Sequence, residues 1–139
     1  MTIIVPNVGE VAIAQKFLNQ VLTLKLFSNN IVPSEDDDIN TFVEVTGGGY
    51  ADIDLSYVSW EISSNAICLY PSQNFLFTGV TDSPGTVYGY YIIDPSNILL
   101  WAERFPTTVL PFTPVADTLI RVSPRSQVTY CPVIFLDQL

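Results

Sequence analysis

Thr86-Val87-Tyr88-Gly89-Tyr90-Tyr91-Ile92-Ile93, then Asp94-Pro95-Ser96-Asn97, then Ile98-Leu99-Leu100-Trp101-Ala102-Glu103-Arg104-Phe105 is the stretch whose reading decides the fold. Two apolar runs rich in aromatic and β-branched residues flank four turn residues. Pro95 fixes φ near the value that the second position of a type I or II turn needs, and Asp94 and Asn97 suit its ends. The pattern predicts a β-hairpin. Strand alternation places Val87, Gly89, Tyr91 and Ile93 on one face and Thr86, Tyr88, Tyr90 and Ile92 on the other. Large side chains on both faces make the hairpin central to a sheet. One face lines the core, and the other is covered by the N-terminal helix or by a neighbouring subunit.

Working outward, Thr2-Ile3-Ile4-Val5 is an apolar arm ended by Pro6, within residues 1–6. Such an arm can add to a sheet edge, its own or a neighbour's. Residues 7–22 form the one helix, with Asn7 as cap, Glu10 in capping-box position, and Val11, Ala14, Leu18, Val21 and Leu22 at helical spacing. Residues 23–139 read as a β-core. Strands are expected at Thr23–Ser28, Tyr50–Leu55, Val58–Ile62, Asn65–Tyr70, Asn74–Thr78, Thr118–Val122 and Gln127–Leu136, with Thr41–Thr46 alternating as a strand or approach segment and turns at Pro124–Ser126 and elsewhere. Short strands with frequent Pro and Gly predict a mainly β chain. It is a β-sandwich or small barrel-like antiparallel fold with one N-terminal α-helix, in a single domain, 1–139.

Composition narrows the function. Five Lys+Arg against fourteen Asp+Glu give a net charge of −9, which argues against nucleic acid and against an anionic membrane surface. Only 14% of residues are charged and 48% are hydrophobic, more than so small an interior hides, so part of the apolar surface is expected between subunits. No run is long enough to span a bilayer, and no signal peptide is read at the start. The chain has no histidine, which removes the commonest general base and most zinc sites. Cys68 and Cys131 each sit in an apolar run and read as buried thiols.

Candidate chemistry is sparse. The run Glu35-Asp36-Asp37-Asp38 lacks the alternating spacing of a calcium loop, and four consecutive carboxylates cannot all converge on one ion. Gly47-Gly48-Gly49 has no Lys-Ser/Thr after it and reads as positive-φ backbone or a bulge, not a phosphate loop. Asp52, Asp54, Glu61 and Glu103 are the carboxylates a glycosidase would use, but no other catalytic residue types gather near them in sequence. No cofactor, metal or catalytic residue is expected. Tyr50, Tyr57, Tyr88 and Tyr90, read as exposed, would suit a protein or carbohydrate surface, with sheet core or sheet edge as the alternative.

Several stretches resemble small structural proteins of tailed-bacteriophage virions. They are Val5-Pro6-Asn7-Val8-Gly9-Glu10 leading into a Leu-containing helix, Leu24–Pro33, Phe42–Ala51 with its Gly49-Tyr50-Ala51 end, the hairpin Val87–Phe105, and Asp117–Val122. Some proteins of this look resemble head cement (decoration) proteins. The resemblance implies a non-enzymatic homotrimer in the virion that clamps the major capsid protein, with a tail, baseplate or host-recognition component as the alternative. The expected interface is Thr2, Ile3, Ile4, Val5, Tyr88, Tyr90, Val109, Leu110 and Phe112.

Overall fold

The computed structural model describes residues 3–64, 67–78, 85–106, 113–114 and 118–127. Helix α1 (Asn7–Leu18) is followed by β1 (Leu22–Phe27), β2 (Ile53–Leu55), β3 (Glu61–Ile62), β4 (Ile67–Leu69), β5 (Gln73–Phe77), β6 (Gly89–Ile93), β7 (Leu99–Arg104), β8 (Thr118–Val122) and β9 (Arg125–Gln127). The chain is mainly β, and all described strand pairs are antiparallel. The sheets are β2-β1-β6-β7, β3-β4-β9 and β5-β8, and none closes into a barrel among the described residues. No helix among them is long and apolar enough to cross a membrane.

The hairpin forms as β6 and β7. Its turn is held by Asp94, whose Oδ1 accepts from the backbone N–H of Ser96 at 2.8 Å and of Ile98 at 2.9 Å. Asn97 adopts φ +64°, the left-handed conformation that Asn tolerates better than most residues. The register shifts between Ile92↔Trp101 and Ile93↔Leu99, so Leu100 is the extra residue of a bulge.

All five residues of β6 are buried, because both faces of its sheet are covered. On one side Leu24 and Leu26 of β1 join Tyr90 and Ile92 in the main core. That core also takes Ala14 and Leu18 from α1, Cys68 from β4, Phe75 and Phe77 from β5, and Ile120 and Val122 from β8. On the other side Phe27, Tyr91 and Ile93 pack against Phe42, with Ile31 and Ile39 beside them. Phe42 stacks on Tyr91 with ring centroids 4.9 Å apart. The second face is therefore covered by the chain's own 28–46 segment and not by the helix. That segment is pinned where Ser28 N–H donates to Val43 O at 2.8 Å and Val45 N–H to Leu26 O at 3.0 Å. These bonds continue the pairing of β1 beyond the end of β2.

Other expectations need correction. The helix stops at Leu18, four residues short of Leu22. Gln20 Nε2 donates to Phe17 O at 2.9 Å, satisfying one of the helix's last carbonyls, and Leu22 pairs with Leu55 in the sheet. Pro6, not Asn7, occupies the N-cap position, and no side chain caps the helix. Pro6 O instead accepts from the N–H groups of Gly9 and Glu10. Val87 lies in the main core and Tyr88 in the second cluster, so strict alternation fails just before Gly89. Tyr57–Ser59 is a 3-10 turn and not a strand. Arg125 and Ser126, read as part of a turn, form with Gln127 the strand β9, which pairs with β4. Gly47, Gly48 and Gly49 all have positive φ, as their run suggested.

Candidate interaction surface

Strand alternation puts apolar side chains outside as well as inside. In β5, Phe75 and Phe77 point into the core while Leu76 is 51% exposed. Its cross-strand partner on β8, Leu119, is 48% exposed. On β4, Cys68 is fully buried, whereas Ile67 and Leu69 face out. Burial pushes the Cys68 thiol above its usual range. The N-terminal arm adds Ile3 and Ile4, the latter 77% exposed, with Val5 half-buried. Two small sheets and an arm thus present β-branched and leucine side chains to solvent, the kind of surface that partners cover.

Of the residues expected at an interface, Ile3 and Ile4 stand out from the body. Thr2, Val109, Leu110 and Phe112 lie outside the described residues. Tyr88 is half-buried, with the Arg104 guanidinium 5.2 Å from its ring centroid, while Arg104 Nη1 donates to Ile31 O at 2.8 Å. Tyr90 is a correction: only 2% exposed, it belongs to the core because its face of β6 is the one that α1 and the other sheets pack against. Tyr50 is also no surface residue. The turn at Gly47–Gly49 brings its ring back to stack on Phe75, centroids 5.8 Å apart. Of these tyrosines, Tyr57 alone is exposed. The Leu76–Leu119 pair was not anticipated, although alternation through Asn74–Thr78 and Thr118–Val122 contains it.

The carboxylates do not converge. Lys25, mostly buried, pairs with Glu44 at 3.1 Å and with Asp52 at 3.4 Å. Tyr50 OH donates to Glu44 Oε2 at 2.8 Å and accepts from Leu26 N–H at 3.1 Å. Burial, with Glu44 beside it, holds the Tyr50 phenol far above its ordinary range. Asp54 accepts from Thr23 Oγ1 at 3.4 Å. Glu61 is exposed on β3, and Glu103 pairs with Arg125 at 2.9 Å. Glu44 and Asp52 share Lys25, while Asp54 and Glu103 answer to Thr23 and Arg125, contacts that tie neighbouring segments together. Among the described residues no three His, Cys, Asp or Glu side chains are grouped to hold a metal ion. Comparison with family models, with curated proteins and with solved structures gave no match.

Proposed function

We propose that the chain is a non-enzymatic structural protein of a tailed-phage virion, a cement or decoration protein that binds the major capsid protein shell as a homotrimer. The observation that carries this reading is the exposed apolar surface: the Ile3-Ile4 arm and the outward Ile67, Leu69, Leu76 and Leu119. The resemblance of the hairpin and flanking stretches supplies the context. A double-covered central sheet gives rigidity, and the arm supplies reach. Binding only the assembled shell stabilises it by mass action, and many symmetric sites make modest affinity per site sufficient. Co-sedimentation with purified heads and velocity ultracentrifugation test the reading together. A monodisperse monomer that leaves heads unbound overturns it.

One observation favours a tail or host-recognition role as the second reading. Tyr57 and Trp60 line a cleft of about 530 Å3 with Gln15, Lys16 and Asn19 of α1, an aromatic and polar mixture suited to sugars. Gold labelling of the protein at the tail, with the shell unlabelled, would decide for it.

A further inference from the structure

Where the three sheets meet, Leu69 of β4, Tyr90 of β6, Glu103 of β7, Arg121 and Val122 of β8, and Arg125 of β9 line a pocket of about 340 Å3 with Phe105 and Ser123. Two of the chain's five basic residues converge here, in a molecule of net charge −9. Three features give the pocket a chemical preference.

The Tyr90 hydroxyl is buried and, among the described residues, completes no hydrogen bond of good geometry. Glu103 and the backbone of Arg125 stand near it, and burial together with Glu103 keeps the phenol protonated, hence a donor. An unsatisfied buried hydroxyl lowers stability, as do the indole N–H groups of Trp60 and Trp101 that share its state among the described residues, and an incoming acceptor would relieve that cost at Tyr90. Arg121 meets only Asn74 Oδ1, at 3.4 Å, and pairs with no carboxylate among the described residues. Arg125 already holds a carboxylate: its Nη2 and Nε donate to Glu103 Oε2 at 2.9 and 3.3 Å. Both members of that pair are open to water, the arginine side chain 66% and the glutamate 39% exposed. An exposed pair of this kind contributes little to stability and exchanges partners readily.

We propose that this pocket takes the carboxylate of a peptide partner, an Asp or Glu side chain or a chain terminus, in exchange for Glu103. The incoming group meets the Arg121 and Arg125 guanidinium groups and, once Glu103 swings aside, the Tyr90 hydroxyl. Leu69, Phe105 and Val122 accommodate the apolar part of the residue that carries it. These walls favour a peptide over an acidic sugar, whose hydroxyls they would leave unpaired. The site stands independently of a virion location.

The test is a titration of the full chain, isotopically labelled, followed by amide chemical shifts. N-acetyl-phenylalanine is the probe, its carboxamide the neutral control and glucuronate the acidic-sugar control. Saturable shifts at Leu69, Tyr90, Phe105 and Val122 are expected with a Kd on the order of a millimolar. The carboxamide should give none, and glucuronate should bind roughly tenfold more weakly. Glu103→Gln should tighten binding severalfold by freeing Arg125, and Arg121→Gln should weaken it about tenfold. Tyr90→Phe should weaken binding while its melting temperature stays level or rises. Absence of saturable shifts, equal shifts with the carboxamide, glucuronate binding as tightly, indifference to Arg121→Gln, or a fall in the melting temperature of Tyr90→Phe each overturns the proposal.

Discussion

At the scale of single residues, two positions show how the hairpin is built against its neighbours. Gly89 lies beneath the Phe27 ring. A β-carbon there would stand 2.6 Å from two ring carbons and closer still to the Glu103 carbonyl oxygen. A ring alone can yield, but the backbone carbonyl belongs to a paired strand and does not. Gly89→Ala is therefore expected to lower stability by about 2–3 kcal/mol in urea unfolding. Adding Phe27→Ala should not restore it, because the carbonyl clash persists. An isolated glycine inside a strand signals close approach of another backbone; strand alternation alone treats it as one more face position. Tyr50 makes the second case. Its hydroxyl accepts the Leu26 N–H and donates to Glu44, so Tyr50→Phe strands a donor of the central strand. A loss of about 1–3 kcal/mol is expected. The same substitution at Tyr90, whose hydroxyl completes no hydrogen bond among the described residues, should carry the opposite sign or none.

At the scale of elements, the hairpin turn was readable because its chemistry is local. Asp94, Pro95 and Asn97 specify the turn through their own side chains and backbone preferences, without help from distant parts of the chain. Asp94→Ala removes the acceptor of two N–H groups and should lower the urea midpoint by an amount equivalent to about 1–2 kcal/mol. Asn97→Gly, at φ +64°, should leave the midpoint level or raise it. An unchanged Asp94→Ala midpoint would show that strand pairing, not the turn, fixes the register. The helix end was less readable because local and distant signals conflict there. Val21 and Leu22 continue the helical spacing of apolar residues, yet Leu22 is drawn into the ladder opposite Leu55. The 28–46 cover over Phe27, Tyr91 and Ile93 was unreadable for a related reason. Phe42 sits far along the chain from Tyr91, and no periodicity links a loop residue to the ring it stacks on. The candidate surface divides the same way. Exposure of the arm follows from a short apolar run ended by proline, whereas the burial of Tyr90 depends on which sheet face meets the core.

At the scale of the whole molecule, double cover of the central sheet has a consequence for its response to pH. Tyr50, Tyr90 and Tyr91 all hold their phenol protons far above the ordinary tyrosine range. Burial is the largest cause at each. Glu44 adds to it at Tyr50, Glu103 at Tyr90, and Glu44 with Asp52 at Tyr91. In the unfolded chain the same phenols ionise near pH 10. Below that value both states keep their protons, and the contribution to stability is fully present. Above it the unfolded chain releases protons that the folded one retains, so the unfolded state gains and stability falls as pH rises. Each phenol steepens the alkaline limb by up to about 1.4 kcal/mol per pH unit. Urea unfolding across the alkaline range should show this decline, and phenolate absorbance from these tyrosines should appear only as the protein unfolds. Tyr91→Phe should flatten the limb by one phenol's share while the phenolate signal of the folded protein stays the same. Stability level through about pH 11, or three early phenolates in the folded protein, would mean that water reaches the rings and that the sheet is not covered on both faces.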